Sequence, residues 1–336
     1  MAAELKARAF EDWDGRSSGV ICAFAFGAAG ARALPEPRLS AADRGGEWFW
    51  THVGLGDVRA QALVRGVEGL PAEALELFVT SETRVQITEE EGWVFGVLPD
   101  LERDFSGHLQ GQGRLVFALD GARLLTGRLH PQMAIDDLRR QAQAGETFAS
   151  PGAAIFAFVQ AYIDRVEQLL DDLAQQLAAI EDYVLTGPRY PRDTGLNKLR
   201  RSIARHRREL QGLRTVLARA HAGRRKGKRV AALSEELAEL IVAVEDADRD
   251  TGVLQERGRL LHEEIDTLIN SATNRSMRAL TIVSTLLIPP TLVTGAFGMN
   301  LEGIPFAHSP SGFAAAAALC ALVVGAALLL LRRLGM

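Results

Sequence analysis

Two apolar runs near the C-terminal end constrain this chain more than any other feature. Residues 279–297 (ALTIVSTLLIPPTLVTGAF) and residues 313–331 (FAAAAALCALVVGAALLLL) contain no Asp, Glu, Lys or Arg. Each run is as long as a membrane-spanning helix, because 19 residues at about 1.5 Å of rise cover roughly 28 Å, close to the hydrocarbon thickness of a bilayer. We therefore expect two membrane spans behind a charged body in water.

The charges that flank these runs predict how the chain crosses the membrane. Arg275 and Arg278 precede the first run, Arg332 and Arg333 follow the second, and residues 298–312 contain neither Lys nor Arg. Because basic residues stay on the cytosolic side, both termini are expected in the cytosol. The N-terminal sequence MAAELKARAFEDWDG lacks the apolar core of a signal peptide. These features predict a multi-pass protein of the cytoplasmic (inner) membrane.

The composition and the polar motifs exclude several classes of protein. With 38 basic and 42 acidic side chains, the formal charge of -4 gives no electrostatic footprint for nucleic acid. Cys22 and Cys320, the two cysteines, are too few for a disulfide framework or a cysteine-based metal site. The acidic run from Asp246 to Gly252 lacks the spacing of a calcium loop. Because no nucleotide loop, activated nucleophile or paired-carboxylate site is present either, no enzymatic activity is predicted.

The first apolar run differs from the second because it is rich in Ser, Thr and Pro, including the pair Pro289-Pro290. A helix that faces lipid tolerates such residues poorly unless protein or water supplies partners. Polar or small residues recur at every third or fourth position from Glu263 to Gly298. The stripe positions that we expect to line a pore are Asn270, Asn274, Met277, Thr281, Ser284, Ile288, Thr291 and Gly295.

Two arrangements explain this stripe. A water-filled pore lined by several copies of one helix would present the polar groups to ions. A buried interface between helices would use the same small and hydroxyl side chains as contacts. The spacing leaves both open, although Arg275 and Arg278 fall outside the stripe and need not block a cation path.

The residues before the membrane runs form two kinds of segment. Up to residue 149, short apolar or alternating runs separated by turns predict a small cytosolic α/β domain. After Ser150-Pro151, which is typical of a helix start, helical spacing predicts a long stalk, which an oligomer needs and a single globular domain does not. The predicted stalk helices are 151–185, 196–222 and 234–278. The predicted division is 1–149 (α/β domain), 150–278 (stalk), 279–297 (first transmembrane α-helix), 298–312 (outer loop), 313–331 (second transmembrane α-helix) and 332–336 (cytosolic tail).

These residues resemble a known family. Two C-terminal spans, of which the first ends in Gly298-Met299-Asn300 after a long helix, look like the CorA-type divalent-cation transporters over nearly the whole chain. Within that family the chain most resembles the ZntB-type zinc transporters. The resemblance to this branch rests on Gly303-Ile304-Pro305 and on the stretch WFWTHVGL in the N-terminal domain, whereas Glu302 matches the magnesium-type branch.

The resemblance implies a funnel-shaped homo-oligomer, a homopentamer with a cytosolic funnel, in which the first span lines the pore and the second surrounds it. It places Gly298, Met299 and Asn300 at the outer mouth, where they would select the hydrated cation. It places Met277 and Leu280 at a hydrophobic constriction, and Glu263 at a possible regulatory metal site. We expect Glu302 and His308 to attract cations outside the membrane, because charge at a mouth raises the local ion concentration.

The predicted function is therefore transport of divalent metal cations across the cytoplasmic membrane. Zinc uptake, with proton coupling as an option, is the favoured form, and a magnesium or cobalt channel of the CorA type is the alternative. A membrane-anchored structural or sensory coiled coil is a third hypothesis of a different class. No permanently bound cofactor is expected; the transported ion would be Zn²⁺, or Mg²⁺, Co²⁺ or Ni²⁺. The expected partners are further copies of the chain, the lipid bilayer and the metal ions.

Overall fold

The computed structural model describes seven stretches of the chain, which together cover the α/β domain, the long helices and both apolar runs. The described residues are 19–40, 46–80, 84–103, 109–186, 195–222, 234–299 and 311–333. Contacts divide the chain into a first unit (1–180 and 194–258) and a second unit (181–193 and 259–336).

A mixed β-sheet forms the centre of the first unit. The order of its seven strands is β2-β1-β3-β7-β6-β5-β4. All neighbours are antiparallel except β3 and β7, which pair in parallel from Phe49 opposite Arg123 to Gly54 opposite Arg128. The strands are β1 (Val20–Gly27), β2 (Gly30–Ala33), β3 (Trp48–Gly54), β4 (Gln86–Glu90), β5 (Trp93–Arg103), β6 (Leu109–Leu119) and β7 (Arg123–Arg128).

Seven helices accompany this sheet in the described part of the chain. They are α1 (Val58–Arg65), α2 (Ala72–Val79), α3 (Met133–Gln143), α4 (Pro151–Thr186), α5 (Leu196–Ala222), α6 (Ser234–Phe297) and α7 (Gly312–Arg333). The α/β domain, the long helices and the two apolar C-terminal helices confirm the predicted fold class. The short strand β2 was not predicted, because GARA carries no alternating apolar pattern.

Helices cover both faces of the sheet, because successive strand residues point to opposite faces. Val97 of β5 belongs to a buried cluster that includes Ala60 and Val64 of α1 and Phe78 of α2. Its neighbour Leu98 instead lines a cavity of about 320 Å³ with residues of α4, α5 and α6. The first unit is therefore a three-layer sandwich with the sheet in the middle.

A buried group of charges joins α3 to the sheet. Asp136 in the first turn of α3 is 2% exposed, and its carboxylate lies 2.7 Å from the guanidinium of Arg103 and 3.0 Å from that of Arg128. Arg139 lies 3.5 Å away on the next turn. Burial alone would raise the pKa of Asp136, but the surrounding arginines hold it below its usual range. The carboxylate thus stays ionised and fixes the position of α3.

The start of α3 is capped from a different strand. Gln132, the residue before the helix, gives no side-chain cap. The carboxylate of Asp100 on β5 instead accepts hydrogen bonds from the main-chain N–H groups of Ala134 at 3.0 Å and Ile135 at 3.1 Å. Burial raises the pKa of Asp100 to about 7 despite these bonds. Asp100, which is distant in sequence, therefore caps the N–H groups at the start of α3, as a Ser, Thr or Asp at the N-cap position usually does.

Helices α4 and α5 begin and end within one residue of the predicted bounds, whereas the predicted stalk helix 234–278 and the first apolar run form one helix, α6. Ser150 accepts a hydrogen bond from the N–H of Ala153 at 3.1 Å, which is the cap that its sequence position predicts. Helix α6 is continuous over 64 residues, or roughly 95 Å at about 1.5 Å per residue. It runs from the first unit into the second.

We predict that Asp136→Asn destabilises the first unit by about 3 kcal/mol, because it leaves buried guanidinium groups without their counter-charge. The measurement is thermal unfolding of the detergent-solubilised chain followed by tryptophan fluorescence. All four tryptophans lie before residue 100, so their emission reports on this unit. The neighbouring Asp137→Asn is the control, since Asp137 is more exposed and its partner Arg165 reaches solvent. Equal melting temperatures for the two variants would contradict a structural role for the buried charges.

Candidate cation pathway

The first apolar run forms the C-terminal part of α6, and the helix passes through two prolines. Pro289 and Pro290 lie inside the helix. Because proline has no N–H group, the carbonyl groups of Thr285 and Leu286 lack their usual donor four residues on. The thiol of Cys320 on α7 approaches the carbonyl oxygen of Pro290 at 4.0 Å. Helix α7 therefore contacts α6 at the level of the prolines.

The predicted pore-lining residues lie together on one side of α6. At 100° per residue they occupy a stripe about 100° wide. Seven of them are exposed and Ser284 is half-buried. The exposed residues are Asn270, Asn274, Met277, Thr281, Ile288, Thr291 and Gly295.

The threonine hydroxyl groups on this stripe are turned back towards their own helix. Thr281 donates to the carbonyl oxygen of Met277 at 2.9 Å, and Thr291 donates to that of Leu287 at 2.7 Å. A hydroxyl group has one proton to donate and two lone pairs to offer. Since that proton is already used, these side chains present only acceptor oxygens outward. Acceptor oxygens attract cations and not anions.

Large apolar side chains lie on or beside the same stripe. Met277 and Leu280, the residues of the predicted constriction, are 62% and 67% exposed, and Ile288 is 65% exposed. The same side of the helix continues to Leu292, which is 73% exposed. A single chain thus leaves this side of α6 open to lipid or to further protein.

The C-terminal end of α6 closes with the first two residues of the Gly-Met-Asn sequence. The N–H of Gly298 donates to the carbonyl oxygen of Thr294 at 2.9 Å, and the N–H of Met299 donates to that of Ala296 at 3.4 Å. Both residues are exposed. Asn300, Glu302 and His308 lie outside the described residues, so their roles at the outer mouth stay predictions.

The predicted regulatory site at Glu263 gains no ligand partners from the structure. The Glu263 carboxylate forms an ion pair with Arg259 one turn earlier, and its main-chain carbonyl accepts a hydrogen bond from Thr267 at 2.9 Å. Among the residues that the structure describes, no three His, Cys, Asp or Glu side chains are arranged to hold a metal ion. Metal binding by Glu263 therefore stays a prediction.

The stretch WFWTHVGL, which suggested a zinc transporter, forms a buried hydrogen-bond centre in the first unit. The indole N–H of Trp50 donates to the hydroxyl oxygen of Thr126 at 2.8 Å, and Nδ1 of His52 lies 2.8 Å from the same oxygen. Burial, aided by the positive charge of Arg128, lowers the pKa of His52 well below its usual value. The histidine is thus neutral and has a structural partner in this centre, which the sequence alone did not indicate.

Comparison with known proteins identifies the family. Residues 46–333 match the family model described as CorA-like Mg2+ transporter protein. The chain belongs to the CorA family of divalent cation transporters.

Similarities to individual proteins in sequence and in structure support membership in the CorA family. The chain is 29% identical to the divalent cation transporter CmaX of Pseudomonas aeruginosa over 330 residues, which are 95% of this chain and 96% of that protein. It is 24% identical to the zinc transport protein ZntB of Pectobacterium carotovorum over 208 residues, 60% of this chain and 61% of that protein. The solved structure of full-length CmaX superposes with a TM-score of 0.80 at 26% sequence identity. The superposition covers 96% of this chain and 100% of the CmaX chain.

Two helices of this CorA-family chain are long and apolar enough to cross a membrane. They are the helix that ends at Phe297 and the helix Gly312–Arg333. Family membership and these two helices together make the protein a membrane transporter whose family is not one of enzymes.

We predict that the stripe on α6 faces water inside the membrane. Thr281→Cys and Thr291→Cys, each made in a Cys22→Ala, Cys320→Ala background, should react with a charged, water-soluble methanethiosulfonate reagent in intact vesicles. Val283→Cys and Val293→Cys, at similar depths on another side of the helix, are the matched controls and should react at least tenfold more slowly. Protection of all four positions would favour a dry helix interface. The measurement is the rate of thiol modification followed by mass spectrometry.

Proposed function

We propose that this CorA-family transporter carries divalent cations, with zinc favoured, through a pathway lined by α6 in a ring of copies. The observation that carries the proposal is that Thr281 and Thr291 of the stripe offer only acceptor oxygens from their hydroxyl groups, on an exposed side of a helix long and apolar enough to cross a membrane. Oxygen ligands suit small, hard divalent ions. An anion would meet no donor from these hydroxyl groups.

Several copies are needed because one stripe cannot enclose a path for an ion. A copy standing alone would also turn the exposed polar residues of the stripe, such as Thr281 and Thr291, towards lipid, which offers them no partner. A ring places these stripes around a common axis. We propose five copies, as the resemblance implies, with Met277 and Leu280 narrowing the path by an apolar constriction that controls wetting.

At the outer mouth we propose that a ring of Asn300 side chains selects the ion. Small divalent ions release their water reluctantly, and neutral amide oxygens bind the hydration shell without removing it. Glu302 and His308 would lie in the same loop. The negative charge of several Glu302 side chains would raise the local concentration of cations, an effect that salt screens.

The identity of the ion rests on two sets of residues that point in different directions. Gly303-Ile304-Pro305 and the 24% identical zinc transport protein support zinc. Glu302 and the description of the family model support magnesium. The stripe contains no Cys or His, which zinc prefers, so we propose that zinc passes as a hydrated ion. The magnesium or cobalt channel is retained as the second candidate because of Glu302.

The direction of transport follows from the proposed orientation. With both termini in the cytosol of a cell that has an inner membrane, Asn300 and Glu302 face outward and receive ions for uptake. No titratable side chain lies between Ala279 and Phe297. If uptake is coupled to protons, Glu302 and His308 are therefore the groups that would carry the protonation change.

We predict that Asn300→Ala abolishes uptake while the ring stays assembled, because the side-chain oxygens at the mouth are lost. Uptake of ⁶⁵Zn into cells that express the chain is the measurement, with a loss of at least tenfold expected. Asn197→Ala, the same substitution on exposed α5, is the control and should leave uptake unchanged. Unchanged uptake in Asn300→Ala would instead favour the structural or sensory coiled coil.

We predict that purified protein in liposomes passes zinc faster than magnesium, and that an inward proton gradient increases the zinc flux. Fluorescent indicators inside the vesicles would follow Zn²⁺, Mg²⁺, Co²⁺ and Ni²⁺ under matched conditions. Glu302→Gln removes the charge with little change of shape and should lower flux most at low ionic strength. Magnesium flux that exceeds zinc flux and ignores pH would assign the chain to the magnesium-type branch.

A further inference from the structure

A cavity of about 230 Å³ lies in the first unit, where β6 extends past its neighbour β7. Strand β6 begins at Leu109, but its pairing with β7 covers only Val116 to Leu119. Leu129 and His130, which follow β7, line the cavity together with residues of α1, α2, β5 and β6. We call it the carboxamide cavity, because three of the described residues that line it are glutamines. They are Gln61 of α1, Gln112 of β6 and Gln132 before α3.

Gln132 is held in the wall of the carboxamide cavity and has an unused hydrogen-bond acceptor. The residue is 1% exposed, and its Nε2 donates to the main-chain carbonyl oxygen of Arg114 at 2.8 Å. That bond determines which end of the carboxamide is oxygen, because the reverse orientation would bring two acceptors together. Oε1 is buried and has no hydrogen-bond partner among the described residues. A ligand that donates a hydrogen bond to Oε1 would remove the cost of burying it alone.

The glycine at position 113 makes room for the side chain of Gln132. A Cβ atom at Gly113 would lie 2.8 Å from Nε2 of Gln132 and 3.0 Å from its Cδ. Any larger residue would therefore displace the carboxamide. The sequence of β6 thus provides a defined space for this side chain.

Two further polar groups line the carboxamide cavity. Nε2 of Gln112 is buried and has no hydrogen-bond partner in the described part of the chain. Glu102 of β5 is half-buried, and its main chain bridges to that of Gln132. Among the described residues, no hydrogen bond or ion pair engages the Glu102 carboxylate. The cavity therefore offers one buried donor from Gln112 and acceptors from Gln132 and Glu102.

The rest of the lining is largely apolar. It includes Leu55, Leu77, Phe78 and Val116. An apolar surface with a few placed polar groups is the usual form of a small-molecule site. The volume of about 230 Å³ is below the roughly 300–1,000 Å³ of pockets for drug-sized ligands. A small planar molecule therefore suits this space.

An anion and a metal ion both fit the carboxamide cavity poorly. The guanidinium of Arg114, which lines the cavity, is held by Glu209 at 2.9 Å, and Glu102 would repel a negative group. His130 and Glu102 are too few to form a metal site, since no three His, Cys, Asp or Glu side chains of the described residues could hold an ion together. The lining therefore favours a neutral ligand that carries N–H groups.

We propose that the carboxamide cavity binds an aminopurine base such as adenine. One edge of adenine presents a ring-nitrogen acceptor beside an amino donor, and carboxamide groups recognise this edge in nucleic acids. Gln112 donates to the ring nitrogen, Oε1 of Gln132 accepts from the amino group, and Glu102 accepts a further N–H. The apolar lining, which includes Phe78, covers the ring. All of these residues belong to the first unit, so this site is separate from the proposed cation pathway.

Buried polar groups make the cavity selective as well as receptive. A ligand without the amino group would leave Oε1 of Gln132 without a donor, and sites built to hydrogen-bond a substrate reject such analogues strongly. Purine, the parent ring without the amino group, has nearly the same shape and apolar surface as adenine. The two compounds therefore separate hydrogen-bond recognition from simple filling of an apolar space.

Calorimetric titration of the full chain in detergent tests the ligand class. Adenine should bind, and purine should bind at least tenfold more weakly. Equal affinity for the two compounds, or no binding of adenine at millimolar concentration, would overturn the proposal. Adenosine and ATP distinguish the free base from a nucleotide, because each should compete with adenine and the physiological form should bind more tightly. Bound adenine should also raise the melting temperature of the first unit.

Substitutions in the lining test the location of the site. Gln112→Ala and Glu102→Ala should each weaken adenine binding at least tenfold, and Gly113→Ala should weaken it by displacing Gln132. The matched controls are Gln143→Ala on α3 and Glu90→Ala on β4, both exposed, which should leave the affinity unchanged. Tryptophan fluorescence melting checks that each variant is folded.

Two results would contradict this location. Adenine affinity that is unchanged in folded Gln112→Ala and Glu102→Ala would place the ligand elsewhere. Equal weakening by the exposed control substitutions would show that the effect is not specific to the cavity. Neither measurement involves cation flux, so failure of the proposed transport function would leave the result on adenine unchanged.

Discussion

A polar group inside a bilayer is stable only where protein or water supplies a hydrogen-bond partner. This requirement constrains the two apolar C-terminal helices more than any other. Helix α6 carries Thr281, Ser284 and Thr291 at membrane depth, with the two threonine protons already donated to the helix. The hydroxyl oxygens of these threonines can therefore only accept hydrogen bonds from their surroundings, and exposed apolar side chains lie beside them. Water and other copies of the helix satisfy that surface better than lipid. In the proposed ring, association of the copies and passage of the cation would share this one physical origin.

The first unit also contains buried polar groups, and it pairs them with groups of opposite charge from the same copy. Asp136 brings a negative charge into the interior, and Arg103 and Arg128 arrive from two strands to match it. Asp100 supplies the missing cap of α3 from yet another strand. These groups form ion pairs and hydrogen bonds within a single copy. By comparison, seven of the eight predicted pore-lining residues on α6 are exposed in a single copy, which fits the proposed ring.

Much of the fold was predictable because periodicity is a local property. Helical spacing located α4, α5 and α6, and charge-free length located both apolar helices. The cap from Asp100 and the pairing of Trp50 and His52 with Thr126 were not predictable, since they join residues far apart in sequence. The stripe was predictable from spacing, but the orientation of its hydroxyl protons required coordinates. The roles of Asn300, Glu302 and His308 still rest on sequence and resemblance, because they depend on several copies meeting at the outer mouth.

The two consecutive prolines in α6 have a mechanical consequence. Elsewhere in the helix, bending stretches hydrogen bonds between successive turns, and each broken bond in a dry environment is costly. At Pro289 and Pro290 two of these bonds are absent from the start, so the helix is most compliant there. The segment between Pro290 and Gly298 can tilt about this point without breaking a further backbone hydrogen bond. The contact of Cys320 with Pro290 places α7 beside this compliant point of α6.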